Sequence, residues 1–144
     1  MDSNLREAFF KQVEIEPFTK KFGLRLVDIQ DGYSLVKMTF TPDMENLFGK
    51  AHGGAIFALI DEAFQIASNS KGNIAVALTM SLTYLSSPSP GSTLVAEAKE
   101  ISQDLKTSAY EIKVTDDKDQ SIAICRAVAY RTMKQHSFIK RTAK

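Results

Sequence analysis

Asn46-Leu-Phe-Gly-Lys-Ala-His52-Gly53-Gly54-Ala-Ile-Phe57-Ala-Leu-Ile-Asp61 sets one carboxylate inside an apolar run opened by two glycines. From Ala55 to Ala67 the chain has no Pro or Gly and is rich in good helix formers, so it predicts a helix. Apolar side chains fall on almost every side, the pattern of a helix sheathed by protein. Ser68, Asn69, Ser70, Lys71 and Gly72 then supply C-terminal punctuation, and the helix is expected over residues 53–70. At helical spacing Gly54, Ala58, Asp61 and Gln65 form a stripe of small and polar residues, while Ile56, Leu59, Ile60, Ala63, Phe64 and Ala67 cover the rest. The stripe reads as a groove with Asp61 in its floor. The plainer alternative is that Asp61 caps a neighbour or pairs with a basic residue.

The first N–H groups of a helix lack internal partners and sit at the positive end of its dipole. Glycines there let a ligand oxygen approach the backbone, so Gly53 and Gly54 can hold a phosphate or polarise a carbonyl, or simply make a tight turn. Gly53 and Asp61 are eight residues apart, which at 1.5 Å rise per residue is roughly 12 Å along one helix. A single small group cannot touch both. If they act on one carbonyl, they must come from two copies of the chain related by a two-fold axis.

The run from Asn46 to Asn69 resembles the signature of the hotdog-fold thioesterases, in the PaaI-like branch named for the phenylacetate-degradation thioesterase: Asn, a glycine-containing loop, His-Gly-Gly, an aromatic, then Asp followed closely by Ala-Phe. The resemblance covers nearly the whole chain. It implies an α+β hotdog fold, an antiparallel sheet wrapped around a long central helix, assembled as a homodimer and commonly as a homotetramer. It further implies that Gly53 offers its N–H to a thioester carbonyl and that Asp61 of the partner subunit is nucleophile or general base. Asn46 and His52 would then position substrate or water. Many relatives carry a hydroxyl on the strand after the helix. Thr79 and Ser81 are the candidates here, with Thr79 preferred and Ala77 a possible blank.

Working outward, residues 3–12 read as an amphipathic helix with Ser3 as a cap, and Pro17-Phe-Thr-Lys-Lys-Phe22 as a further turn, the two forming a segment over 1–22. After Gly23 the period changes to two, and Asp31-Gly32 signals a hairpin before a strand from Tyr33 to Thr41. Beyond the helix, Ile74, Val76, Leu78, Met80, Leu82 and Tyr84 alternate with Ala75, Ala77, Thr79, Ser81 and Thr83, placing the hydroxyls on one side of a strand. Three more strands are expected at about 93–102, 106–115 and 121–133 as an antiparallel meander. In the last of these Ala123, Cys125, Ala127 and Ala129 share a face, which would let a helix bearing Phe57 and Phe64 lie close. With 144 residues, 44% apolar and 24% charged, a single domain spanning 1–144 is the simplest reading.

The inventory argues against several chemistries. Two His and one Cys without ligand spacing predict no metal, and no cofactor is expected. Neither a Gly-x-Ser-x-Gly elbow nor a nucleotide-binding glycine motif occurs, and Cys125 among alanines reads as a buried small hydrophobe. A net charge of +1 does not suggest nucleic acid. The longest apolar run, Ala55 to Ile60, is too short for a bilayer, and Met-Asp-Ser-Asn lacks signal-peptide character, so a cytoplasmic protein is expected. Arg131, Lys134, Lys140 and Arg141 form a basic stretch that is solvated or meets coenzyme A phosphates. His52 can serve the loop's shape as well as proton transfer. Glu62, rotated about 100° from Asp61, reads as a salt-bridge partner or subunit contact. Phe57 is the preferred acyl-pocket residue among the nearby aromatics.

The reading that results is hydrolysis of an acyl-coenzyme A thioester, with Asp61, Gly53, Asn46 and His52 as catalytic candidates and Gly54, Phe57, Thr79 and Ser81 as substrate-binding ones. A non-catalytic acyl-coenzyme A sensor and a hotdog hydroxyacyl-thioester dehydratase are the competitors. Sensors of that kind carry an added DNA-binding segment, and residues before Gly23 are too few for one. A dehydratase wants a histidine base rather than an aspartate on the helix.

Overall fold

The computed structural model describes residues 1–139. Two short helices, α1 (Ser3–Ile15) and α2 (Pro17–Phe22), precede the hairpin β1 (Arg25–Gln30) and β2 (Tyr33–Thr39). A 3-10 turn (Pro42–Met44) and a loop lead into α3 (Gly53–Asn69), followed by β3 (Asn73–Tyr84), β4 (Thr93–Gln103), β5 (Thr107–Thr115) and β6 (Ser121–Gln135). Asp2, rather than Ser3, caps α1: its carboxylate accepts the N–H groups of Asn4 and Leu5 at 2.9 and 3.0 Å. The helix begins one residue earlier than a Ser3 cap would allow.

All six strands form one antiparallel sheet in the order β1-β2-β4-β5-β6-β3. The meander β4-β5-β6 occupies its centre, and α3 carries the chain from β2 to the opposite edge, where β3 pairs with β6. The helix packs on one face, touching β2, β3, β4 and β5. Ile56, Leu59, Ile60, Ala63, Phe64 and Ala67 are all buried there. Opposite them the sheet presents Ala96, Ala98, Ala123, Cys125, Ala127 and Ala129, and these small side chains bring the backbone close enough for a wide apolar helix to fit. Phe64 meets Tyr110 edge to face, with ring centroids 5.5 Å apart. This is the antiparallel sheet around one long helix that defines a hotdog fold.

In β3 and β1 a bulge interrupts the period-two alternation expected from the sequence. In β3 the pairing with β6 slips between Ala77 and Thr79, a bulge at Leu78. A one-residue insertion reverses which side chains face inward. Ala75 is therefore buried while Val76 and Leu78 are 50% and 55% exposed, and only after the bulge do Met80 and Leu82 turn to the core. In β1 a slip between Leu26 and Asp28 likewise lets Leu26 and Ile29 both face the core. On α3, Ala58 is buried and Phe57 lies open at 37% exposure, so Phe57 does not pack on the sheet. The open stripe of the helix is Gly54, Phe57, Asp61 and Gln65.

Candidate active site

The loop entering α3 is held by its own polar atoms. Asn46 Oδ1 accepts the N–H groups of Phe48 and Lys50 at 2.9 and 3.0 Å, and Asn46 N–H donates to the Lys50 carbonyl at 2.7 Å. His52 N–H donates to the Met44 carbonyl at 2.8 Å, and His52 Nδ1 accepts the Gly54 N–H at 2.8 Å. His52 is thus the N-cap of α3. Because Nδ1 accepts, the neutral ring carries its proton on Nε2, directed away from the helix.

The two glycines are explained by close approach. A Cβ on Gly53 would stand 2.8 Å from Tyr84 Oη, and one on Gly54 3.0 Å from His52 Nδ1. Tyr84 O–H donates to the Gly53 carbonyl at 2.9 Å, tying the end of β3 to the start of α3. The Gly54 N–H is consumed by His52. The Gly53 N–H and the Asn46 side-chain NH2 have no acceptor among the described residues. An unpaired amide at the positive end of a helix is free to donate to an anion or a carbonyl oxygen.

Asp61 lies two turns further along the same open face, half-buried and with no hydrogen-bond donor or cation on it among the described residues. Burial raises its carboxyl above the usual carboxylate range, and the nearby Glu16 charge raises it further. Cys125, buried on β6, feels the Asp61 charge as well: burial first, then Asp61, pushes its thiol up. Within one chain, then, Asn46, His52, Gly53 and Gly54 meet at the helix start, while Asp61 stays apart. Thr79 and Ser81 pair with Val128 and Arg126, and so lie on the face of the sheet away from α3. On the helix side of β3 at this level is Ala77, opposite the buried Ala129.

Among the described residues Glu62 forms neither a salt bridge nor an exposed contact. It is 2% exposed, accepts from Thr19 Oγ1 at 3.4 Å, and sits against Glu16 at the elbow between α1 and α2. Burial first, then the charge and hydrogen bonding of Glu16, push its carboxyl up to about 8. No cation among the described residues acts on it, so Glu62 holds its proton at neutral pH. Glu16 in turn accepts from Gln65 Nε2 at 3.1 Å. The sequence carried one hint of this: Glu16 precedes Pro17, which breaks α1 and turns the chain toward α3. Tyr84 gave no such hint, reading only as the end of a strand.

Among the described residues no group of three His, Cys, Asp or Glu is arranged to hold a metal ion, and no helix is long and apolar enough to cross a membrane. In the basic stretch Arg131 is occupied by the Asp104 and Leu105 carbonyls, the latter at 3.1 Å, bracing the β4–β5 turn. Lys140 and Arg141 lie outside the described residues.

Residues 48–123 match the family model of the thioesterase superfamily. The acyl-coenzyme A thioesterase PaaI of Escherichia coli is 32% identical over 118 residues, 82% of this chain and 84% of that one. Its solved structure superimposes with a TM-score of 0.87, covering 92% of this chain and 96% of that one. The 1,4-dihydroxy-2-naphthoyl-CoA hydrolase of Listeria monocytogenes is 30% identical over 72% of this chain and 86% of its own length. The structure of smu.793 from Streptococcus mutans, bound to acetyl CoA, is 29% identical with a TM-score of 0.75, over 78% of this chain and 91% of that one. Sequence and fold agree: the chain belongs to the thioesterase superfamily, in its PaaI-like branch, and is a hotdog-fold thioester hydrolase.

Proposed function

We propose that the protein is an acyl-coenzyme A thioesterase whose reaction centre is shared between two subunits, so that a homodimer is the smallest active unit. The observation that carries this reading is the separation of two unsatisfied groups on one open helix face. The Gly53 N–H and the Asp61 carboxylate each lack a partner among the described residues, yet they stand roughly 12 Å apart by helical rise. A second α3, antiparallel to the first, brings the partner subunit's Asp61 beside Gly53 and repeats the site by symmetry.

The surfaces needed for such pairing are present. β3 is a twelve-residue edge strand with Val76 and Leu78 half exposed, and an unprotected edge of this length invites another strand. The loop before α3 projects Leu47 and Phe48 at 93% and 81% exposure, far more apolar surface than a solvated turn requires. A coenzyme A thioester as substrate is supported by PaaI and by the acetyl-CoA complex of the S. mutans relative.

In this site the thioester carbonyl accepts from the Gly53 N–H, and negative charge developing on its oxygen is stabilised by that amide and the helix dipole. The partner subunit's Asp61 removes a proton from water as water oxygen bonds to the carbonyl carbon; alternatively its carboxylate attacks directly and water cleaves the resulting anhydride. Collapse of the tetrahedral species breaks the C–S bond, and the thiolate leaves and takes up a proton. Both routes need Asp61 ionised. Asn46 keeps the loop in shape through Oδ1 and has its NH2 free for substrate or water, and His52 holds the helix start while its Nε2–H faces outward. Gly54 gives room for His52, and Phe57, on the open face between Gly53 and Asp61, would line the substrate groove beside the carbonyl. Thr79 and Ser81 can reach substrate only as residues of a neighbouring subunit's surface.

The test is Asp61→Asn, which keeps shape and removes the base. Thiol release from acyl-coenzyme A substrates should fall by at least about 10²-fold, with the elution volume on size exclusion unchanged. Turnover close to wild type in that variant, or full activity from a monomer, would overturn the reading.

A further inference from the structure

One cavity lies outside the catalytic groups but opens beside them. It has a volume of about 180 Å³ and sits between α1, the second half of α3, the start of β3 and the segment after β6. Its walls are apolar, with Phe9, Val13, Ile66, Ile74 and Phe138, and its mouth is crossed by Gln65 and Glu16. Gln65 is one turn beyond Asp61 on the open stripe, about 6 Å by helical rise. A group bonded to a carbonyl held at Asp61 and directed along the helix therefore arrives at this mouth.

Around Asn69 and His136 the lining is polar by composition but not by available hydrogen bonds. Asn69 donates to the carbonyls of Gln65 and Ala75 at 2.8 and 3.1 Å, and its Oδ1 accepts the Ala75 N–H at 2.8 Å and lies 2.7 Å from His136 Nε2. The His136 ring is itself packed against Phe9 and Phe138 at 5.9 and 4.8 Å. With their polar atoms satisfied internally, these residues present ring faces and stems. What enters must be apolar.

We propose that this cavity receives the acyl group of a thioester whose carbonyl is held at Asp61 of the same chain, and that Phe9, Val13 and Gln65 set the size of acyl group accepted. The inference rests on the thioesterase mechanism above. An apolar cavity of about 150 Å³ accommodates benzene, so this one suits a single ring or a chain of about four to eight carbons. It has no room for a long fatty chain. The Gln65 amide, held across the mouth by the Glu16 carboxylate at 3.1 and 3.4 Å, moves aside when an acyl group longer than acetyl enters.

The experiment is a panel of acetyl-, hexanoyl-, benzoyl-, dodecanoyl- and palmitoyl-CoA, reading thiol release as kcat/KM for each. Ratios between substrates are used because they cancel the fraction of active enzyme. Wild type should prefer hexanoyl- over dodecanoyl-CoA by tenfold or more. Val13→Phe, which fills the cavity, should lower the hexanoyl-to-acetyl ratio at least tenfold. Phe9→Leu, which enlarges it, should lower the hexanoyl-to-dodecanoyl ratio at least fivefold. Gln65→Ala changes an exposed side chain and remains informative if either core variant does not fold; it should raise the hexanoyl-to-acetyl ratio at least threefold. Ratios within twofold of wild type in every variant that folds would sink the pocket assignment while leaving the thioesterase reading intact. No hydrolysis of any substrate by wild type would remove both.

Discussion

Two neighbouring acids, Asp61 and Glu62, show how a rotation of one residue on a helix separates roles. Asp61 faces the open stripe, and Glu62 is sealed under the α1–α2 elbow against Thr19 and Glu16. The groups facing Glu62 are Glu16 at the elbow, Thr19 on α2 and Asp61 on α3, with no cation among them, and its carboxyl stands at about 8. An ordinary Glu in the unfolded chain ionises near 4.3. Between these two values the unfolded state has lost the proton that the folded state keeps, so stability falls as pH rises from about 4 to about 8 and then levels off. Glu62→Gln abolishes that dependence. Chemical denaturation from pH 5 to 8 should show a declining midpoint for wild type, a flatter one for Glu62→Gln, and a variant at least as stable as wild type at pH 8. A wild-type midpoint that rises over this range would contradict a proton-bearing Glu62.

At the scale of elements, the junction of α3 with β3 governs how the helix start is presented. Tyr84 ends β3 and donates to the Gly53 carbonyl at 2.9 Å, so strand and helix are tied where the unpaired Gly53 N–H projects. The space for any side chain at position 53 is taken by the Tyr84 phenol, whose Oη and Cζ would lie 2.8 and 2.9 Å from an added Cβ. Gly53→Ala should cost about 1–3 kcal/mol by overpacking. The loss should be smaller when Tyr84→Ala is also present, because the clashing ring is gone. A double-mutant cycle by denaturant unfolding measures this, with an expected coupling of about 0.5 kcal/mol or more. Additive losses would show that Gly53 is required for some reason other than Tyr84.

For the whole molecule, an active site divided between subunits makes a prediction that no single chain can satisfy. Gly53→Ala displaces the helix start and damages the amide side of each site, and Asp61→Asn removes the acid side. Mixed and reassorted in equal amounts, the two inactive chains form hetero-pairs half the time. Each hetero-pair holds one site whose amide and acid are both intact, so activity should recover to about a quarter of the wild-type value. Failure to recover any activity, with exchange of subunits verified by mass spectrometry, would place both groups' action within one chain.

Much of the architecture was legible because it depends on local chemistry. The helix over Gly53–Asn69, the Asp31-Gly32 hairpin and the small-residue face of β6 each follow from periodicity, turn chemistry or side-chain volume within a short window. The Asn46, His52, Gly53 and Asp61 spacing was equally visible, and with it the distance on which the two-subunit proposal rests. What sequence could not contain was any relation set by packing between distant segments. The bulge at Leu78, which turns Val76 outward and Ala75 inward, comes from pairing with β6 some fifty residues away. The burial of Glu62 needs the elbow at Glu16 to fold over it, and the cavity beside Gln65 exists only where α1 and the segment after β6 close on α3. The sequence alone determined which groups are chemically able to act, because reactivity resides in residue type and local spacing. Tertiary structure decided which of them are open, which are neutralised and where space remains, because burial and charge are properties of the neighbours that folding supplies.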